Sequence, residues 1–280
     1  MKKWFHRIFV AVFAIAFVTS GIVLGTYYMR YKNSRDTQKA AVAQYTRPSA
    51  AMQQKTGDAA EGQTPAAENQ DNPADDAVYA PIEVDFEELQ KAGKDVIGWI
   101  YCEDTVINYP VVYGRDNEFY LDRNYMGEYD PSGSIFSDEE NANGFSDANV
   151  LLYGHHMADK TMFAPLNDWM QQSYYEAHPV MWLLTPEQDY RVELFAGYVT
   201  SADSETYRVF HEPGPDLESY LNWARKWSEI QSEVETGAEG KYVVLSTCDY
   251  SFDEARSVLH GKLVPVDSAG GIPIEKAAAK

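Results

Sequence analysis

Residues 8–28, IFVAVFAIAFVTSGIVLGTYY, form an almost uninterrupted apolar run without a charged side chain. As a helix rising ~1.5 Å per residue, this run matches the ~30 Å hydrocarbon core of a bilayer. It is read as a transmembrane anchor. Lys2, Lys3 and Arg7 precede it, and Arg30, Lys32 and Arg35 follow it. A count of charges therefore leaves orientation open, whereas basic residues at the N-terminus favour an inside start, with residues 1–7 cytoplasmic. The competing reading is a cleaved signal peptide. Against it, the run exceeds a usual signal core and no small-x-small cleavage site follows promptly.

Residues 29–80 are rich in Ala, Gln, Glu, Asp, Asn and Pro, and most of them, from residue 33, lack large aliphatic side chains. Such a stretch buries too little surface to offset the entropy of ordering, so it is expected to be a flexible linker. The folded unit is expected at residues 81–267, with residues 268–280 a disordered tail. The net charge of −20, with no basic stripe to neutralise phosphates, argues against nucleic acid as a partner. Two cysteines, Cys102 and Cys248, are too few for a disulfide framework and leave one disulfide or two free thiols open. Cys102 closes an apolar strand-like run, Ile97-Gly-Trp-Ile-Tyr-Cys102, where a buried, inert thiol is expected.

Beyond residue 84, Asp85 can cap a short helix at residues 86–93, with Gly93 at its stop. Eight runs rich in β-branched and aromatic residues follow, at residues 96–101, 106–112, 134–136, 149–153, 180–184, 190–199, 242–246 and 257–264. They predict a mainly β domain with helices, an α+β class, with enough strands for a barrel. Leu217, Tyr220, Leu221, Ala224, Trp227 and Ile230 recur at helical spacing and predict an amphipathic helix at residues 215–231. Another helix is expected at residues 164–175.

Two of these runs end in reactive side chains: Asn149-Val-Leu-Leu-Tyr-Gly-His-His156, and Val243-Val-Leu-Ser-Thr-Cys248 with Arg256 beyond it. A thiol, an imidazole and a guanidinium are the parts needed for acyl transfer at cysteine. If the strands ending at Tyr153 and Ser246 are neighbours, the three converge on one groove. Taken singly, each has an ordinary reading: a core cysteine, a turn histidine, a local salt-bridge arginine. Adjacent histidines on extended backbone point opposite ways, so at most one faces the groove. The run Asp138-Glu139-Glu140 could ligate calcium, but a solvated acidic loop is the stronger reading. No metal and no cofactor are expected.

Residues 84–266 together resemble a class B sortase. The resemblance rests on Leu245-Ser-Thr-Cys248, on Arg256 shortly downstream, and on Gly154-His155 followed by His156-Met157. The helix at residues 215–231, Asn108-Tyr-Pro-Val-Val112 and Asn117-Glu-Phe-Tyr-Leu121 add to it. Val244 stands where many sortases carry Thr. The resemblance implies a sortase-like eight-stranded β-barrel, an N-terminal helical part, and a long helix between strands six and seven. It also implies a membrane-anchored transpeptidase with its catalytic domain outside the cell. Cys248 would attack the Thr carbonyl of a C-terminal sorting signal on a secreted protein. An amine of peptidoglycan, lipid II or a pilin lysine would then resolve the thioester. His155 would be the general acid and base, chosen over His156 because the family's histidine follows the glycine directly. Arg256 would hold the substrate carbonyl or oxyanion, with the Asp249 backbone N–H as second donor. Asn117, Leu121, Thr247 and Asp249 are expected along the substrate groove, as is the connection at residues 201–207. A Cys-His protease that gives its acyl-enzyme to water shares the same groups. In a tethered binding module, the third alternative, Cys248 is structural.

Overall fold

Alternation of inward and outward side chains, with a period of two, closes the strands after residue 95 into a barrel. The computed structural model describes residues 2–50, 79–142 and 144–266. The barrel strands are β1 (Val96–Tyr101), β2 (Asn108–Tyr113), β3 (Ile135–Ser137), β4 (Asn149–Tyr153), β5 (Val180–Leu184), β6 (Asp189–Ser201), β7 (Lys241–Cys248) and β8 (Ala255–Val266). They close in the order β8-β6-β5-β1-β2-β3-β4-β7, with β7 returning to β8. Closure leaves no unpaired edge. Two pairings are parallel, β2 with β3 and β4 with β7, and the rest are antiparallel.

Val150 and Leu152 of β4, Val243 and Leu245 of β7, and Leu259 of β8 fill the barrel interior. The alternate residues Leu151, Val244 and Val258 face outward and are buried with Ala224. Ala224 belongs to the helix α4 (Pro215–Trp227), which covers the outer face of these strands. Pro215 opens α4, Asp216 and Glu218 lie in its first turn, and Arg225 and Lys226 lie in its last, each matched to the helix dipole. The helix stops four residues before the expected Gln231. Ser228 turns extended, and its hydroxyl accepts from the Gly197 and Ile230 backbones, competing with a further helical turn. The expected helix at residues 164–175 divides at Gln171, which is extended, into a 3-10 turn (Ala164–Met170) and α3 (Gln172–Ala177). The short helix α2 (Phe86–Ala92) is capped by Asp85, whose carboxylate accepts from the Glu88 N–H.

The N-terminal part differs from expectation. One helix, α1 (Lys2–Tyr45), continues from the apolar run into residues expected to be linker. Its apolar half is long and apolar enough to cross a membrane, and none of that window is buried against protein. Its second half packs on the barrel. Ala41 and Tyr45 are buried with Leu89, Trp99, Val112 and Tyr125, and residues 46–48 then pair with residues 82–84 in a two-stranded ribbon. Composition misled because small and polar residues, two tyrosines (Tyr31 and Tyr45) and Val42 make this contact. Ser34, Gln38, Ala41 and Tyr45 recur every three or four residues, and close approach of a helix needs no large aliphatics. Residues 51–78 of the expected linker, and residues 268–280 of the expected tail, lie outside the described residues.

Candidate active site

The register of three strands builds the site. Tyr153 lies beside Ser246 across the parallel pair β4 and β7. Cys248 lies directly opposite Arg256 across β7 and β8. A tight turn at residues 249–254 makes that second pairing possible, and Glu254 takes left-handed backbone there (φ 57°). Ser246, Cys248 and Arg256 share the outward phase with Val244 and Val258, as Tyr153 and His155 do with Leu151. The reactive groups therefore open on the outer face and not inside the barrel. They line a cleft of about 350 Å³ with Asn117, Leu121, Phe136, Tyr153, Ala202 and Tyr207.

Gly154 explains why glycine precedes the histidine. It faces inward, where a Cβ would meet the Ile135 side chain at 2.5 Å and the Phe163 ring at 2.8 Å. Only a residue without a side chain lets the strand end lie this close to the core and carry His155 into the cleft. The imidazole Nε2 lies 2.6 Å from the Leu121 carbonyl oxygen. A carbonyl only accepts, so Nε2 carries the hydrogen and Nδ1 is the nitrogen free to exchange a proton. His156 is placed differently. Its Nδ1 donates to the Cys248 carbonyl at 2.8 Å, its ring meets Tyr250 edge-on, and it is not among the cleft residues.

Among the other titratable groups, burial pushes the Tyr207 phenol up to about 12, and it shares a 2.9 Å hydrogen bond with Ser246 Oγ. Burial, and then the bond to Asp138 at 2.6 Å, also raise Tyr153 far above the ordinary phenol range. Both stay protonated at neutral pH and leave proton transfer to the imidazole. Of the two thiols, both free, Cys102 is buried and pushed up to about 12 by that burial, which makes it inert. Cys248 is half-buried at the cleft.

Arg256 donates from Nη1 to the Ala255 carbonyl and from Nη2 to Glu254 at 3.1 Å. Three of its five N–H groups remain for a ligand. The pair with Glu254 is solvent-exposed and worth little as stability. Asp249 departs from expectation. Its backbone N–H donates to the Ala255 carbonyl at 2.9 Å, so it is not available as an oxyanion donor. Its carboxylate accepts from Ser251, from Ser257 at 3.0 Å and from Asn167 at 2.6 Å, and it is absent from the cleft wall. Burial alone would raise its pKa, but these hydrogen bonds outweigh burial and hold it below the ordinary carboxylate value.

Asn117 and Leu121 do line the cleft, and so does Thr247, although it is out of phase with Cys248 and almost wholly buried. Both ends of the Asn117 amide are engaged, with Asp138 at 3.1 Å and the Glu139 N–H at 2.9 Å. Asp138 is itself buried between Asn117 and Tyr153, a structural brace where a solvated loop was the expectation. Among the described residues no group of three or more His, Cys, Asp or Glu is placed to hold a metal ion. Phe136, Tyr153 and Ser246 belong to the cleft but were not singled out from sequence. Alternation along β4 and β7 signals the last two once the pairing of those strands is known.

A closed eight-stranded barrel whose seventh strand delivers a thiol beside a guanidinium and an imidazole defines a cysteine acyl-transfer enzyme. No protein-family model matches the chain. It is 36% identical over 189 residues to Sortase B of Listeria monocytogenes, spanning 67% of this chain and 77% of that protein. It is 34% identical over 183 residues to Sortase B of Staphylococcus aureus, spanning 65% and 75%. Among solved structures it is similar to S. aureus sortase B (TM-score 0.61, 35% identity, 65% of this chain and 87% of that one). It is also similar to B. anthracis sortase B in complex with AAEK1 (TM-score 0.66, 28% identity, 85% and 99%). The chain belongs to the class B sortases and is a cysteine transpeptidase.

Proposed function

We propose that this transpeptidase is anchored by residues 8–28, with its barrel on the outer face of a Gram-positive-type envelope. In this reading it cleaves secreted proteins after the Thr of a C-terminal sorting signal and joins them to an amine of peptidoglycan, its lipid-linked precursor or a pilin lysine. The observation that carries this reading is the register that sets Cys248 opposite Arg256, with His155 in the same cleft. The Cys248 thiol passes its proton to His155 Nδ1 as the sulfur attacks the Thr carbonyl, and the carbonyl π electrons move onto oxygen. Arg256, with three N–H groups free, holds that oxyanion. When the tetrahedral species collapses, the scissile C–N bond breaks and His155 protonates the leaving amine from Nδ1. The thioester remains on Cys248. An incoming amine then attacks it, His155 takes the proton, and the thiolate leaves.

The test is mass spectrometry of the full chain in detergent micelles, with Leu-Pro-x-Thr-Gly-like and Asn-Pro-x-Thr-Asn-like peptide libraries and a small amine. The expected product is an acyl adduct on Cys248, truncated after Thr and chased to an amide by the amine. Hydrolysis that ignores the amine, or turnover that survives Cys248→Ala, would overturn it.

A further inference from the structure

Among the described residues, the Leu121 carbonyl is the hydrogen-bond partner of the His155 ring, so the position of that carbonyl sets the tautomer and tilt of the imidazole. Leu121 ends a 3-10 turn (Phe119–Leu121) in the long connection between β2 and β3, which no barrel strand pairs with directly. Helix α1 holds this connection. The Ser34 hydroxyl donates to the Asp130 carboxylate, and both residues are buried. The same carboxylate accepts from the Ser132 N–H at 2.9 Å, and the Asp130 N–H donates at 2.9 Å to the carbonyl of Asp122, the neighbour of Leu121. Gly133, with φ 59°, fits beneath, where a Cβ would lie 2.7 Å from the Leu121 oxygen. Arg30 lies over the Tyr129 ring, and Tyr45 packs edge-on against Tyr125.

The helix also reaches the other side of the imidazole. Arg35 pairs with Asp159 at 3.8 Å. Asp159 sits in the loop that begins at His156, bridges back at Met162, and is closed by the Phe163 N–H donating to the His155 carbonyl at 3.1 Å. Both the acceptor of the imidazole and the loop that follows it are thus tied to α1.

We propose that residues 30–45 of α1 are a positioning element for His155, with Ser34 acting through Asp130 on the Leu121 carbonyl and Arg35 acting through Asp159 on the histidine loop. None of these four residues lines the cleft; they act only through the groups that do. The inference rests on the acid–base role of His155 given above. It implies that the domain from residue 81 onward, cut free of α1, is a poor transpeptidase although it keeps the thiol, imidazole and guanidinium.

The experiment compares the full chain in detergent micelles with Ser34→Ala and with Arg35→Asp, using the same peptides and amine. Four quantities are read: kcat, KM, the rate at which iodoacetamide labels Cys248, and the Nε2–H fraction of His155 from nitrogen-15 spectra. A slight misplacement of a catalytic group costs up to roughly 100-fold, so kcat is expected to fall about 10- to 100-fold. KM and Cys248 labelling should stay within about twofold, and the Nε2–H signature should weaken. Restoring the ion pair in Arg35→Asp/Asp159→Arg should recover kcat and the Nε2–H signature together. Unchanged kcat in both single variants would overturn the proposal. So would a loss of kcat with an unaltered His155 spectrum, or one that disappears on cooling in step with recovered folding. His155→Ala is the separating control: if it remains active the acid–base assignment fails, and if it is dead while Ser34→Ala is normal only the positioning role fails.

Discussion

His260 offers a quantitative check on the packing behind the cleft. It lies wholly buried on β8, stacked on Tyr198 with ring centroids 5.3 Å apart and planes 19° apart. Phe195 and Tyr220 flank it, and its Nε2 is 2.9 Å from the Tyr198 hydroxyl. Burial pushes its pKa from 6.5 down to about 3. Below pH 6.5 the unfolded chain binds a proton that the folded chain refuses. This residue therefore costs nothing above about 6.5, and stability is lost as pH falls toward about 3. The limiting slope is ~1.4 kcal/mol per pH unit, so acidification from about pH 7 to about pH 5 costs ~2 kcal/mol, a sizeable part of a typical total of ~5–15 kcal/mol. Asp189 works in the opposite sense. Burial lifts it from 3.8 to about 6, so its contribution is present below 3.8 and lost as pH rises through about 6. The two effects oppose each other in the wild-type chain, and a single pH profile would hide both. His260→Phe keeps the aromatic stack and removes the titration. Urea unfolding of both proteins in micelles, followed by the fluorescence of buried Trp99 and Trp169, gives the difference in stability at each pH. The variant should gain ~2 kcal/mol relative to wild type between about pH 7 and about pH 5. A difference that stays constant within ~0.5 kcal/mol over that range would show that the site is hydrated or opens easily, and would refute the argument.

Arg256→Lys keeps the charge but loses the planar fork, and because the Asp249 N–H is already engaged no second backbone donor at that position can compensate. kcat/KM should fall by about 10²-fold or more, and steady-state kinetics with a cleaved peptide would check it. Gly154→Ala drives a methyl into Phe163 and Ile135 and should cost ~1–3 kcal/mol together with most of the turnover, as urea midpoints and activity would show. In native protein iodoacetamide should label Cys248, and label Cys102 only after denaturation, as peptide mapping would reveal.

The barrel was legible because each strand carries its own signal: β-branched and aromatic runs bounded by turns sit within two or three residues of where β1 to β8 form. The second half of α1 was not, because its contact is made by Ser34, Ala41, Val42, Tyr31 and Tyr45, scattered among residues whose overall composition is that of a linker. At the site, the motifs pointed to Cys248, His155 and Arg256, and the strands carry all three to one cleft. Spacing alone could not separate His155 from His156; the resemblance did, and the Gly154 contact and the partner of each ring give the physical reason. Asp249 failed for a related reason. Whether a backbone N–H is free depends on strand register, which the sequence of one strand does not contain. Tyr153 and Ser246 entered the sequence reading only as the ends of strands conjectured to be neighbours, and it is the observed parallel register of β4 with β7 that makes them cleft wall.

That parallel pairing also has a bearing on when reactivity can arise. His156 and Cys248, which it brings together, are 92 residues apart, and Arg256 lies further on still. Long-range pairings of this kind are the slow, late events of folding, since the entropy of closing the intervening loop comes before any contact repays it. The nucleophile thus meets its partners only when the last two strands seal the barrel. A chain still unfolded or half-folded carries the thiol without its imidazole and guanidinium partners, and the assembled cleft is itself a sign that folding is complete.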